Sequence, residues 1–349
     1  LAGAGNVTIY GENADFAAAN ITSTDLGYTG TLTLATTNAA ATIDGTATGV
    51  LTGVDVLDIS IAAGIPIVSL PAVTGGGTFT VKHAPAAAAA GVAGAITVNQ
   101  AGTSAADKVT ISLGANSTGT GAVAIAGTET AVIASGGAST GTDTVASVTQ
   151  GITLGSTQSL TITGAGGVTI TGAATADTIS TAGVAGAVTI GDLTNTVGTT
   201  TFTGGAGNTT ISAGAGNANS DITTGAGNDN VVTGSGDDII RTGNGTATIS
   251  SLGGNDVITG GSGVDNITGG TGSDVMDGKA GIDTYVIPQA DSLSTGLAID
   301  LVKYVAGDIL DLATAAASLV GSVNADLQAA AATTVASTGI TEATLLANL

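Results

Sequence analysis

A period of nine residues constrains this chain more than any other feature. From Thr224 it reads TGAGNDNVV, TGSGDDIIR, TGNGTATIS, SLGGNDVIT, GGSGVDNIT, GGTGSDVMD and GKAGIDTYV. The fourth position is always glycine: Gly227, Gly236, Gly245, Gly254, Gly263, Gly272 and Gly281. The eighth is always apolar: Val231, Ile240, Ile249, Ile258, Ile267, Met276 and Tyr285. The sixth is Asp229, Asp238, Asp256, Asp265, Asp274 and Asp283, with Ala247 as the exception. A flexible linker has no reason to return an apolar residue to every ninth place. Glycines at the head of each unit permit φ > 0 and a tight turn, and the x-apolar-x tripeptide that follows is a short strand with its central side chain inward. Two units make one coil, and each turn stacks on the turn two units later at a strand spacing of about 4.8 Å.

That stacking predicts pairs. Asp238 faces Asp256, Asp256 faces Asp274, and on the opposite edge Asp265 faces Asp283. Asp229 falls on Ala247, and Ala247 on Asp265, which leaves three complete carboxylate pairs and two damaged ones. Rows of like charges a few ångströms apart repel strongly unless a cation lies between them.

The units resemble the RTX, or hemolysin-type, calcium-binding repeat, G-G-x-G-x-D-x-U-x with U a large apolar residue. The resemblance implies calcium as the ligand, a parallel β-roll as the fold, and turn carbonyls as further donors, here Gly234, Gly236, Gly254, Gly261, Gly263, Gly270, Gly272 and Gly281. Calcium takes 6 to 8 oxygens at roughly 2.3–2.6 Å, a number that two stacked turns can supply together. Leu252 and Lys279 replace consensus glycines.

Before the array, GGAGNTTIS at 204–212 keeps the glycines and Ile211 but has Thr209 in the metal position; AGAGNANSDIT follows, longer than a repeat by two. GAATADTIS at 172–180 retains Asp177 and Ile179. The repeat therefore decays towards the N-terminus. Residues 1–203 alternate Thr with Val, Ile or Leu in short segments such as VTIY, TLTLAT and KVTISL, the mark of half-buried strands in a solenoid or a β-sandwich. GVDVLDIS at 53–60 and GTETAVIAS at 127–135 share a glycine-acid opening and read as two copies of a larger unit. After the array, LVKYVAGDILDLATA resembles the element that closes such rolls, carried by Tyr304, Gly307, Asp308, Asp311 and Leu312. A cap is physically required over an open solenoid end. Beyond Ala313, Ala- and Leu-rich windows with Asn324 and Thr341 at N-cap positions predict helices, in the place where the resembled family carries a type I secretion signal. The expectation is an all-β chain in three parts: irregular strand repeats at 1–203, the calcium-binding β-roll at 204–286, and a cap and tail at 287–349.

Composition narrows the function. Twenty-six acids against five bases give a formal charge of −21, which repels phosphate backbones and argues against nucleic-acid binding. The only glutamates are Glu12, Glu129 and Glu342; the bias to Asp suits carboxylates that act close to the backbone. The chain has no Cys and one His, His83, and no G-x-S-x-G elbow, so nothing singles out a catalytic group. His83 reads as a surface residue, and Asp55, Asp58 and Glu129 as solvated or loop-capping acids. The Ala-rich stretch at 84–95 reads as a loop or single helical turn, and no segment reaches the roughly 20 apolar residues of a membrane helix. Opening on Leu1, the chain reads as a fragment or processed product. Taken whole, an acidic, Cys-free, Gly/Ala/Thr-rich chain leading into a calcium roll resembles the surface-layer proteins of Gram-negative bacteria. That resemblance implies secretion, folding on calcium outside the cell, lattice assembly through calcium, and a polysaccharide anchor. An adhesin, an ice- or surface-binding module and the C-terminal part of a larger secreted enzyme are the alternatives.

Overall fold

The protein is represented by a computed structural model, which describes residues 6–11, 21–22, 31–36, 42–44, 51–52, 55–58, 60, 67–69, 78–83, 91–93, 96–99, 108–114, 117–120, 123–126, 130–136, 153–155, 159–164, 167–173, 177–193, 198–213, 219–287, 301–303 and 305–312. Among them every regular element is a β-strand and there is no helix. The chain divides into two compact units, Leu1–Asp192 and Leu193–Leu349.

In the first unit one parallel sheet is built from Val7–Gly11, Leu32–Thr36, Val56–Asp58, Thr78–His83, Lys108–Gly114, Thr130–Gly136, Ser159–Gly164 and Thr178–Val184, each beside the next. Inward residues stack in a column: Leu34, Leu57, Val81, Ile111 and Ile133 are all at most 1% exposed. The coils differ in length. A long coil carries Val81 onto Ile111, a shorter one Leu34 onto Leu57, and a shorter one again Leu160 onto Ile179. Further parallel pairs, such as Val168–Ala173 with Val188–Asp192, lie outside this sheet. Parallel pairing throughout the described strands decides for a solenoid over a β-sandwich, whose sheets are antiparallel. The two glycine-acid segments, at Val56–Asp58 and Thr130–Gly136, are strands of this same sheet.

The second unit is regular. Its coils carry one strand in each of two parallel sheets. One contains Thr200–Thr203, Ser220–Thr223, Ile239–Arg241, Val257–Thr259, Val275–Asp277 and Leu301–Val302; the other contains Thr209–Ser212, Asp229–Val232, Ala247–Ser250, Asn266–Thr268, Thr284–Ile287 and Ile309–Leu312. The step from Thr209 to Asp229 is 20, because the extra length of AGAGNANSDIT falls there; from Asp238 to Asp256 it is 18. The eighth positions form a core two side chains wide. Phe202, Ile222, Ile240, Ile258 and Met276 line one sheet, and Ile211, Val231, Ile249, Ile267 and Tyr285 the other, all at most 1% exposed. Each such burial contributes about 1.5–3 kcal/mol. Tyr285 closes the column: its hydroxyl accepts the Gly278 N–H at 2.8 Å and donates to the Lys303 carbonyl at 3.2 Å. The cap strand Ile309–Leu312 pairs with Thr284–Ile287. Within the Ala-rich stretch Gly91–Ala93 is a strand rather than a loop or helical turn, paired with Ser117–Thr120. The rest of that stretch, Glu129, Tyr304 and the expected helices beyond 313 lie outside the described residues.

Candidate metal centre

The turns between the two sheets form two edges. On one lie the turns ending at Asp238, Asp256 and Asp274; on the other, those ending at Asp229, Ala247, Asp265 and Asp283. The constant coil brings the sixth positions into register, and a repeated hydrogen bond fixes the carboxylates. Oδ1 of Asp256 accepts the N–H of Asp238 at 2.8 Å, and Oδ1 of Asp274 that of Asp256 at 2.9 Å. On the other edge, Oδ1 of Asp283 accepts from Asp265 at 2.9 Å, and Oδ1 of Asp265 from Ala247 at 2.8 Å. Ala247 cannot return the bond, and the Asp229 N–H donates instead to the Thr246 carbonyl at 3.0 Å. The rows begin with hydroxyl residues, Thr209 donating its N–H to Asp229 and Ser220 to Asp238.

All six Asp side chains are buried, none more than 4% exposed. The second oxygens differ. Oδ2 of Asp229 accepts the Thr224 hydroxyl at 2.6 Å, and Oδ2 of Asp265 the Gly261 N–H at 3.0 Å. Among the described residues, Oδ2 of Asp238, Asp256 and Asp283 has no hydrogen-bond partner. The nearby hydroxyls of Thr233 and Ser251 donate to the carbonyls of Ser251 and Gly269. Nor does a protein cation neutralise the rows: Arg241 pairs with exposed Asp221, and Lys279 and Lys303 pair with Asp277. Burial pushes Asp256 up to about 7, with the charges of Asp274 and Asp238 adding to it. Burial also raises Asp229, Asp238 and Asp283. Buried carboxylates without a counter-charge cost several kcal/mol each, a cost that a proton or a cation from outside the chain relieves.

The backbone fits one. A Cβ at Gly254, Gly272, Gly263 or Gly281 would collide with the carbonyl oxygen of Gly236, Gly254, Gly245 or Gly263 respectively, so the fourth-position carbonyls of each coil point at the next. A second column runs through the second positions, where a side chain at Gly261 or Gly270 would strike the carbonyl of Gly243 or Leu252. Gly234 enters this column through its carbonyl, which accepts the Gly253 N–H at 3.3 Å. Leu252 and Lys279 keep the glycine geometry, with φ of 66° and 73°. No three His, Cys, Asp or Glu side chains converge among the described residues. A metal here would therefore be held by carboxylate pairs plus carbonyls, a donor set of hard oxygens suited to calcium.

The comparisons decide what the array is. Residues 196–217, 219–249 and 251–285 match the family model of the RTX calcium-binding nonapeptide repeat, four copies. These are RTX calcium-binding repeats. No curated protein and no solved structure matches the chain significantly. The RTX match begins upstream of the well-formed units and takes in the coil at Thr209, where a hydroxyl stands in the metal position.

Two features escape a reading of the nonapeptide alone. Fifth-position side chains form an outer ladder: Asn228 Oδ1 accepts the Thr246 N–H at 3.1 Å, Asp237 Oδ1 that of Asn255 at 2.7 Å, and Asn255 Oδ1 that of Ser273 at 3.0 Å. Asn or Asp stands at that position in three of the seven units, Asn228, Asp237 and Asn255. The other is Asp308, whose Oδ1 accepts the Asp283 N–H at 3.1 Å and so continues a row beyond the last repeat. Upstream, Asp177 is exposed while Ile179 is buried, and Asp55 caps a neighbouring strand by accepting the Leu32 N–H at 2.8 Å. Asp58 pairs with Lys82 at 2.8 Å; burial alone would raise it, but the bonds from Lys82 and Ser60 outweigh that and lower it. His83 lies opposite Leu113 in the sheet.

Proposed function

We propose that this is a secreted structural protein whose roll folds on calcium outside the cell and whose folded subunits assemble into a surface-layer lattice. The observation that carries the calcium step is the two rows of buried carboxylates without a protein counter-charge. At cytosolic calcium the rows repel and the chain stays open and exportable by a type I route; at millimolar external calcium, sites of roughly 10⁻⁴ to 10⁻³ M affinity fill and stabilise the fold. RTX repeats are typical of secreted proteins, and no helix among the described residues is long and apolar enough to cross a membrane.

One pair of exposed aliphatic side chains on the outer face of one sheet offers a small apolar contact for assembly. Val257 and Val275, 43% and 40% exposed, stack directly in register. Calcium at subunit borders and a cell-surface polysaccharide would complete a lattice. A structural role is favoured over catalysis because the chain lacks Cys and has a single His. Imaging of the purified protein tests the reading. Calcium-dependent sheets or tubes are expected, and a protein that stays monomeric at high concentration with saturating calcium contradicts the lattice.

A further inference from the structure

We propose that Asp283 and Asp308 form a terminal calcium site that binds the cap to the roll. The inference rests on the calcium reading of the rows and extends it past the last nonapeptide.

Asp308 lies well beyond Asp283 and outside the register of the repeats, yet the pairing of Thr284 with Ile309 places it directly on Asp283. It repeats the bonding of the repeat carboxylate Asp265. Each gives Oδ1 to the N–H of the Asp or Ala one coil earlier, at 3.1 Å for Asp308 and 2.8 Å for Asp265. Each gives Oδ2 to an N–H of its own turn, from Val305 at 2.8 Å and from Gly261 at 3.0 Å. An ionised carboxylate offers about four lone-pair sites over its two oxygens, so hydrogen bonding and metal binding are compatible. Asp308 is 1% exposed and Asp283 fully buried.

The independent sign of a ligand is Asp283 Oδ2, a buried oxygen with no hydrogen-bond partner among the described residues. It lies against Gly278, where any Cβ would collide with it, in the turn that Asp308 covers. Gly307, at φ 109°, gives the cap a left-handed glycine directly before its Asp, where Gly254, Gly272 and Gly281 stand two residues before theirs. Lys279 does not neutralise the pair, since its ammonium bonds Asp277 at 2.8 Å. The chemistry is that of a hard divalent cation shared by two carboxylates and turn carbonyls. Such a site makes closure of the roll conditional on calcium.

The test is Asp308→Asn in the full chain, which retains Oδ1 for the Asp283 N–H, loses the charge and gives up the bond from the Val305 N–H. Calcium titration should give one ion fewer than wild type at saturation. Terbium, substituted for calcium, should lose most of the tyrosine-sensitised emission that arises near Tyr285, whose hydroxyl bonds the same turn at Gly278. Unchanged stoichiometry and emission overturn this site alone, while a wild-type chain that binds no calcium overturns the row reading with it. Calcium-loaded wild-type crystals need no variant: an anomalous peak beside Asp283 and Asp308 supports the site, and peaks at the other pairs but not here overturn it.

Discussion

The two units apply one architecture in different ways. In the first, the step between stacked positions changes from coil to coil, long from Val81 to Ile111 and short from Leu160 to Ile179, and strands gather around columns such as Leu57, Val81 and Ile111. In the second, the step settles at 18, and the constant coil makes every turn stack on a turn of the same kind. Constancy is what allows backbone carbonyls and carboxylates to line up in rows. Where coil length drifts, strands still pair and apolar side chains still stack, but no row of ligands can form. Irregular coils have strand pairing and apolar burial; regular coils add to these the stacked carboxylates and carbonyls that suit an ion.

Calcium removal should separate the two most sharply. With excess chelator, amide hydrogen exchange across 198–213 and 219–287 should lose most of its protection while Leu32–Thr36, Thr78–His83 and Lys108–Gly114 keep theirs. Equal loss in both would dissolve the distinction. Core truncation comes next. Ile258→Ala and Ile111→Ala should each cost about 2–5 kcal/mol, but only Ile258→Ala should raise the calcium concentration at which the roll folds.

Between about pH 4 and 7 acidity should act on the roll rather than on the first unit, whose lowered Asp58 responds only below that window, and only without calcium. The folded Asp256 carboxyl sits near 7, against about 3.9 when unfolded. Between those values the folded state holds a proton that the unfolded chain has released. Its contribution to stability is therefore fully present below about pH 4 and is lost as pH rises through 7. Asp229, Asp238 and Asp283 shift in the same direction. Denaturant melts of the calcium-free protein should show the roll weakening from pH 4 to 7, and calcium should abolish the trend. The smallest effect belongs to Leu252, 50% exposed and held at φ 66°. Leu252→Gly should stabilise the roll by about 1 kcal/mol in a calcium-loaded melt.

The roll is legible because its period states the register outright: once Asp256 is placed two units after Asp238, the stacked pair and the inward Ile258 follow, as does the longer step before Asn230. The first unit is legible only as strands. Thr/apolar alternation is the same in parallel and antiparallel sheets, and with coil lengths that change at each step no period remains to choose between them. In sequence Asp308 reads only as part of a cap, because its distance from Asp283 breaks the period and hides a position that the Thr284 to Ile309 pairing reveals. The hydroxyl of Thr224 on Asp229 is hidden for a different reason: the two stand at opposite ends of the turn, and only the folded chain brings them within 2.6 Å.

The most direct test of calcium held by stacked carboxylate pairs is the number of ions lost on replacing Asp256, which belongs to two pairs, compared with Asp177, which is exposed upstream of the rows. Calcium titration of Asp256→Asn should show two fewer bound ions than wild type, and Asp177→Asn no change. Equal stoichiometry in the two variants would contradict the account.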